Sequence, residues 1–338
     1  MTAKPNGGVA SSSADSCEAA SWRAARRAAL DHVLSLIAHS SWSDGLVLRG
    51  SMAMLAWAGD AAREPGDLDW VVLDRLAVPV DSQDPYPYVD ELDFVQQWPE
   101  AADGAARYEF WQYEEFETGG CHPVLPPEGL RWVVDEDATE PSRPYADLIE
   151  LVSSDPQAAP GLLLDAAGAH EDGAWTYAGY DTPGVRLLIP WHADGLGAGH
   201  VQLDFARDER LPQAPVLSAI PRGDAGPPTV VRTASRELSL AWKLLWLYTD
   251  SADGASARSK DLYDAVLLAE ARETRLSPGL LRAVLRRAPS NGEGFGPYAI
   301  HVAEADWAEF RRDHPRIHGT ADKWCARLLR AVRSSEKS

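Results

Sequence analysis

The spacing of apolar residues changes near residue 230, and this change constrains the fold more than any other feature of the sequence. Before it, short runs rich in β-branched and aromatic residues predict strands, among them LVLRG, LDWVVL, VRLLIPW and GHVQLDFA. From Ser235 onward, apolar residues recur at helical spacing in SRELSLAWKLLWLYTD, RSKDLYDAVLLAEARE and SPGLLRAVLRRA. The sequence therefore predicts an α+β fold, in which a mixed sheet with flanking helices precedes an all-α C-terminal domain.

Composition suggests where these parts begin and end. The first 18 residues contain no apolar cluster, which predicts a disordered tail, and residues 21–40 show the spacing of a helix. Residues 81–135 are rich in proline, tyrosine, tryptophan and acid, which indicates an inserted element, and residues 212–228 look like a loop-rich linker. The predicted parts are a tail at 1–18, a sheet domain at 19–228 that includes the insertion, and a helical domain at 229–334.

Composition also excludes several classes of protein. No apolar run approaches the roughly 18 residues of a membrane span, and the N-terminal residues lack the apolar segment of a secretory signal. The three cysteines, Cys17, Cys121 and Cys325, lie far apart, which argues against a disulfide framework and favours the cytoplasm. The net charge of −19 opposes broad affinity for nucleic acid. The cationic stretches at 23–27 and 311–330 are then solvated helix faces or a local basic groove.

Two carboxylates, Asp67 and Asp69, stand two positions apart where LDWVVL begins. Residues i and i+2 of a strand point to the same face, so the two carboxylates converge while Leu68, Trp70 and Val72 face the core. Adjacent carboxylates repel each other unless a cation relieves them. The pair is therefore a candidate metal site.

A third carboxylate is predicted from HVQLDFA. Its apolar residues alternate inward, so Gln202 and Asp204 point to the opposite face. If this strand lies beside the strand of Asp69, Asp204 completes a cluster of three carboxylates. Mg²⁺ prefers such oxygen ligands, and a site with two Mg²⁺ ions is the expected form because phosphoryl-transfer enzymes use paired ions.

A phosphate-binding turn is predicted just upstream, at Gly50 and Ser51. Glycine permits close backbone approach, and Ser51 opens a helix whose first N–H groups attract phosphate. Arg63 lies four residues before Asp67 and offers a charge to a carboxylate or a phosphate. A turn that holds phosphates beside a carboxylate pair is what nucleotidyl transfer requires. The alternative is chance, since the Asp135/Asp137 pair has no such turn before it and is interpreted as a solvated loop.

The helical half contains a lysine in an apolar setting. Lys243 lies in SLAWKLLWLY, which is apolar nearly all round and therefore indicates a buried helix. A buried ammonium group needs a partner, and RSKDLYD offers Asp261 and Asp264 on one helix face. Either Lys243 pairs structurally with Asp261, or it reaches nucleotide phosphates while Asp261 or Asp264 acts as the base.

The tryptophans and histidines give weaker evidence about the site than the carboxylates and Lys243. Trp57 and Trp70 are candidates to border a base pocket, although most tryptophans belong to cores. Four histidines share no metal-ligand spacing and are expected in ordinary surface or core roles, namely His122, His170, His192 and His200.

Together, these segments resemble the abortive-infection nucleotidyltransferases of the AbiEii/AbiGii type, a branch of the DNA polymerase β-like superfamily. LVLRGSMAMLAWAG resembles the family's strand, Gly-Ser or Gly-Gly turn and helix, and REPGDLDWVV resembles its Arg-x-x-x-Asp-x-Asp strand. HVQLDFA falls where a third acidic strand is expected. SRELSLAWKLLWL and KDLYDAVLL resemble the family's lysine helix and aspartate helix. The resemblance covers roughly residues 25–275 and implies the nucleotidyltransferase fold for the sheet domain.

The resemblance also implies an activity, the transfer of a nucleoside monophosphate from an NTP with release of pyrophosphate. Its implied site comprises Gly50 and Ser51 on the triphosphate, Asp67, Asp69 and Asp204 on Mg²⁺, Lys243 on phosphate, and Asp261 or Asp264 as base. Some members are the toxin of a toxin–antitoxin pair and act on tRNA. An antitoxin and a tRNA acceptor are therefore expected partners.

Two other functions stay open from the sequence. A small-molecule nucleotidyltransferase of the antibiotic-modifying kind would share the site and differ in the acceptor. A catalytically silent module of the same fold would bind a nucleotide or a protein without turnover.

Overall fold

Nine strands of the described residues form one mixed sheet. The computed structural model describes residues 10–40, 43–72, 144–177, 182–206, 211–252, 258–285 and 300–335. The strands are β1 (Leu46–Arg49), β2 (Leu68–Val72), β3 (Gln157–Ala159), β4 (Leu162–Leu164), β5 (His170–Tyr177), β6 (Thr182–Ala193), β7 (Gly199–Ala206), β8 (Val216–Ile220) and β9 (Thr229–Thr233). Their order is β3-β4-β6-β7-β2-β1-β9-β8, with β5 paired to β6. The β2–β7 and β1–β9 pairs are parallel, and the other pairs are antiparallel.

Helices accompany the sheet and then follow it. Those of the sheet part are α1 (Ala10–Ala38), α2 (Gly50–Ala58) and α3 (Pro144–Ser154), with short 3₁₀ turns at Ser43–Gly45 and Gly59–Ala61. Those of the C-terminal part are α4 (Arg236–Ala252), α5 (Ser259–Glu270), α6 (Pro278–Leu285), α7 (Glu304–Asp313) and α8 (Ala321–Ser335). The structure confirms the predicted α+β class, with the mixed sheet first and the helices after it.

The central strand β2 is buried on both faces of the sheet. Leu68 and Trp70 pack into one core with Leu30 of α1, whereas Val71 packs into a second core with Leu245 of α4. Asp69 shares the face of Val71 because side chains alternate along a strand. Strand alternation therefore directs the Asp69 carboxylate toward the C-terminal helices.

Helix α5 is the centre of the helical part, and nine of its 12 residues are buried. The Tyr263 ring lies against Phe310 of α7 and Trp324 of α8, with ring centroids 5.9 and 5.1 Å apart. The Tyr263 hydroxyl donates a hydrogen bond to the carbonyl oxygen of Ala61 at 2.6 Å. These contacts tie α5 both to its neighbouring helices and to the loop that leads to Asp67.

Some segments differ from their predictions. Helix α1 begins at Ala10, inside the predicted tail, because no glycine or proline interrupts the chain between Val9 and Ser40. The predicted linker at 212–228 contains β8. The prolines of this segment lie outside the strand, so they do not interrupt its hydrogen bonds to β9.

Strand β9 extends the sheet beyond the predicted boundary at residue 229, so the helical part begins at Arg236. The predicted insertion at 81–135 and the Asp135/Asp137 pair lie outside the described residues. Among the helices that the structure describes, none combines the length and apolar character needed to cross a membrane.

Candidate active site

The turn between β1 and α2 places its backbone against a carboxylate. Gly50 has a φ of +74°, in the left-handed region that favours glycine, and a Cβ there would overlap Asp69 Oδ2 and lie 3.1 Å from Asp69 Cγ. Ser51 follows within the first turn of α2, and its Oγ donates a hydrogen bond to Asp67 Oδ1 at 3.4 Å. The predicted turn and the predicted carboxylate pair are therefore in direct contact.

The three predicted carboxylates converge. Asp69 of β2 lies directly opposite Asp204 of β7 in the parallel ladder, and Asp67 immediately precedes β2 instead of lying within it. Each residue offers a carboxylate oxygen within 4.8 Å of the others. We call Asp67, Asp69 and Asp204 the carboxylate triad. Its spacing allows one cation to contact all three residues, and oxygen donors of this kind suit a hard divalent ion.

The pKa of Asp69 lies above the ordinary value for an aspartate. Burial raises this pKa, the neighbouring carboxylates of Asp67 and Asp204 raise it further, and the Arg49 guanidinium opposes them, so that it reaches about 7. Burial and two neighbouring carboxylates therefore both disfavour the ionised form of Asp69.

Two arginines flank the triad in the sheet. Arg186 of β6 lies opposite Asp204, and Arg49 of β1 lies opposite Asp69. Arg186 makes a bidentate ion pair with Asp204, in which Nε donates to Oδ1 at 2.7 Å and Nη2 donates to Oδ2 at 2.9 Å. Arg49 is buried, and its Cζ lies 5.2 Å from the ring centroid of Trp242. Sequence reasoning missed both arginines, although a charge within the apolar runs VRLLIPW and LVLRG was a signal.

The helical part contributes a buried ion-pair network. Lys243 Nζ lies 2.6 Å from Asp261 Oδ1 and 3.2 Å from Asp264 Oδ2, so the predicted structural pairing is present. Arg63 Nε lies 3.2 Å from both oxygens of Asp264, which joins the loop before β2 to α5. Arg63 therefore reaches a carboxylate of the helical part, 201 residues away in sequence.

The pairing of Lys243 with Asp261 favours the charged form of both side chains. Burial by itself lowers the pKa of Lys243, but the carboxylates of Asp261 and Asp264 outweigh it, and the pKa lies above its ordinary value. Burial likewise raises the pKa of Asp261, but Lys243 and Lys260 outweigh it, and the pKa lies below its ordinary value. At neutral pH the helical part thus presents an ammonium ion paired with the ionised carboxylate of Asp261.

A cavity of about 400 Å³ joins the triad to this network. Ten charged residues line it together with Gly50, Gln202 and Trp246; the cations are Arg63, Arg186, Lys243, Arg258 and Lys260, and the acids are Asp67, Asp69, Asp204, Asp250 and Asp261. Asp264 is fully buried behind Lys243 and does not line the cavity. Sequence reasoning missed Arg258 and Lys260, although both precede Asp261 closely in RSKDLYD.

Trp70 is a core residue, as most tryptophans were expected to be, and it does not border the cavity. Its ring lies in the core on the opposite face of the sheet, because its strand position alternates with that of Asp69. Trp57 packs between the two cores, and the tryptophan that lines the cavity is Trp246. The described histidines His170, His192 and His200 do not line the cavity, and His122 lies outside the described residues.

A glycine turn, a carboxylate triad on a mixed sheet and a buried lysine therefore meet at one cavity. The chain belongs to the AbiEii family: the family model described as "Nucleotidyl transferase AbiEii toxin, Type IV TA system" matches residues 32–333. Among solved structures, the chain is similar to MenT4, a nucleotidyltransferase toxin from Mycobacterium tuberculosis H37Rv, with 15% identity, 92% of each chain covered and a TM-score of 0.41. Comparison with curated proteins gives no match.

Family membership confirms the resemblance seen in the sequence. The protein is an enzyme of the nucleotidyltransferase class, and its family is that of toxins from type IV toxin–antitoxin systems. Membership implies an NTP substrate and an antitoxin partner.

Proposed function

We propose that the enzyme transfers a nucleoside monophosphate from an NTP to an acceptor hydroxyl, releases pyrophosphate, and uses Mg²⁺. One observation carries this proposal: three carboxylates with oxygens within 4.8 Å of one another line a cavity of about 400 Å³ together with Lys243. A cavity of this size is within the range of small-molecule and cofactor sites.

The triad suits a divalent metal ion by its donor set. Carboxylate oxygens are the protein ligands that Mg²⁺ prefers. Burial and the carboxylates of Asp67 and Asp204 raise the pKa of Asp69, and a bound cation would favour its ionised form. Asp67, Asp69 and Asp204 are the residues that would hold the ion. When bound, it would supply charge stabilisation to the phosphoryl group undergoing transfer.

The triphosphate is assigned to the turn and the cations beside the triad. Gly50 lines the cavity with its backbone, and the first N–H groups of α2 and the positive end of its dipole favour phosphate. Lys243 and Arg63 face the same cavity from the helical side and from the loop before β2. Their positive charges would orient the leaving pyrophosphate and stabilise it.

The transfer itself forms one bond and breaks another. The acceptor oxygen bonds to the α-phosphorus as the bond from that phosphorus to the pyrophosphate oxygen breaks, and the hydroxyl proton passes to a base. Of the two predicted bases, Asp261 lines the cavity and is ionised, whereas Asp264 is sealed behind Lys243 and Arg63. We therefore assign the proton to Asp261 and a positioning role to Asp264.

The acceptor is assigned to tRNA because of a cationic surface on the helical part. Residues 311–333 hold seven cations and two acids, against a net charge of −19 for the chain. Arg312, Arg316 and Lys323 are exposed. Such a local excess of positive charge attracts the phosphate backbone of a nucleic acid. A small-molecule acceptor would not need this surface.

The proposed cellular setting is the cytoplasm. NTPs and tRNA are found there, and the three cysteines lie far apart in the sequence, as is usual for proteins of a reducing compartment.

The proposal is tested by following the label of each [α-³²P]NTP. Purified protein with Mg²⁺ is incubated with tRNA, with RNA depleted of tRNA, or with hydroxyl-bearing small molecules. We expect labelled tRNA from the wild type and only background from Asp69→Asn. The matched control is Asp224→Asn, because the Asp224 carboxylate pairs with Arg222 and does not line the cavity.

The outcomes separate the alternatives. Label on a small molecule alone would replace tRNA as acceptor and keep the reaction. Equal labelling by wild type and Asp69→Asn would remove the triad from the chemistry. Nucleotide binding without any labelled product would indicate the silent module.

A further inference from the structure

Asp204 accepts three hydrogen bonds from side chains of its own sheet. Arg186 donates through Nε to Oδ1 at 2.7 Å and through Nη2 to Oδ2 at 2.9 Å. Gln202 donates through Nε2 to Oδ2 at 3.0 Å. An ionised carboxylate offers about four lone-pair sites. The three donors therefore leave roughly one site, on Oδ1, for any other ligand.

The register of the sheet builds this arrangement. Arg186 lies opposite Asp204, Asp204 opposite Asp69, and Asp69 opposite Arg49, on the neighbouring strands β6, β7, β2 and β1. Residues directly opposite in a sheet share a face, so the row runs cation, acid, acid, cation. The guanidinium of Arg186 is thus placed by the backbone at the outer side of the triad.

The bonds to Asp204 limit the metal ions that this carboxylate can hold. A carboxylate that bridges two ions presents a free oxygen to each, and both lone pairs of Asp204 Oδ2 accept from Arg186 and Gln202. The Arg186 guanidinium also places a positive charge beside Asp204, which opposes a second cation at that carboxylate.

We propose that Arg186 takes the place of a second metal ion at Asp204, so that the site holds one divalent ion. This inference rests on the proposed function and replaces the two ions expected from the sequence. Arg186 lines the cavity and its side chain is 25% exposed, so its positive charge is accessible to a nucleotide in that cavity. Asp67, Asp69 and the remaining lone pair of Asp204 would hold the single ion.

The number of bound ions tests the proposal without reference to activity. Mn²⁺ is titrated into the full-length protein saturated with the α,β-methylene analogue of each common NTP, and free Mn²⁺ is measured by electron paramagnetic resonance. Two ions in one site lie roughly 3.5–4 Å apart and couple magnetically, which broadens the spectrum. We expect one uncoupled Mn²⁺ per complex in the wild type.

Two variants separate charge from hydrogen bonding. Arg186→Gln removes the positive charge and should admit a second, coupled ion, a twofold rise in the number bound. Arg186→Lys keeps the charge and should still bind one ion. Two coupled ions in the wild type would overturn the inference and leave the proposed function standing, and this result needs no variant to fold. One ion in a folded Arg186→Gln would also overturn it, whereas no ion in the wild type would contradict the proposed metal site itself.

Discussion

Gly50→Ala should separate the function of the turn from its stability. In the structure Gly50 has a φ of +74°, and a Cβ at this position would overlap Asp69 Oδ2. The substitution therefore has two effects with different targets. The left-handed backbone penalises alanine, and the new methyl group displaces a carboxylate of the triad.

The two effects differ in size. Placing a non-glycine residue in the left-handed region costs about 1–2 kcal/mol of stability. Since carbon atoms pack at roughly 3.5–4.0 Å, the carboxylate would have to move by about 1 Å. A misplacement of about 1 Å in an active site can lower the rate by about 100-fold. We therefore expect a modest loss of stability and a disproportionate loss of transfer.

Gly195→Ala is the matched control. Gly195 has a φ of +71°, and a Cβ there would meet nothing within 4 Å. It should lose about the same 1–2 kcal/mol in urea unfolding and keep the wild-type rate of [α-³²P]NTP transfer. Equal transfer rates in the two variants would refute the claim that the Gly50–Asp69 contact serves the site.

Further predictions concern the helical part. Lys243→Met leaves two buried carboxylates without their ammonium partner, so it should lower the free energy of unfolding in urea by about 3–5 kcal/mol. The control Lys323→Met changes an exposed side chain and should alter that free energy by less than about 0.5 kcal/mol. Similar losses in the two variants would contradict the buried network. Tyr263→Phe removes the hydrogen bond to Ala61 and should cost about 1 kcal/mol, measured the same way, and an unchanged midpoint would mean that the bond contributes nothing. Burial raises the pKa of Cys325 to about 11, which lowers the fraction of thiolate at pH 8. In a variant whose other cysteines are serine, iodoacetamide should therefore alkylate the folded protein about 100-fold more slowly than the unfolded protein. Equal alkylation rates would contradict the burial of Cys325.

The convergence of the triad could be predicted because it follows from strand periodicity. Asp69 alternates with Leu68 and Trp70, and Asp204 alternates with Leu203 and Phe205, so each carboxylate leaves its strand on the face opposite those buried residues. Their convergence also needs the parallel pairing of β2 with β7, which periodicity did not predict. The family resemblance indicated only that HVQLDFA supplies a third acidic strand.

The partners of the triad could not be predicted in the same way. Arg186 meets Asp204 through the register of an antiparallel pair, and a shift of one residue would send it to the other face. Arg63 meets Asp264 across 201 residues of sequence. Such contacts depend on how whole helices and strands pack together. A sequence motif can therefore identify a charged residue of the site but cannot identify the residue that pairs with it.

The reaction class is tested most directly by comparing the fates of two labels. Wild-type enzyme is incubated with its acceptor and Mg²⁺, in parallel with [α-³²P]NTP and [γ-³²P]NTP, and the same pair of reactions is run with Asp69→Asn. The account predicts α label on the acceptor, γ label released as pyrophosphate, and neither product from Asp69→Asn. Transfer of the γ label to the acceptor, or an unchanged result with Asp69→Asn, would contradict it.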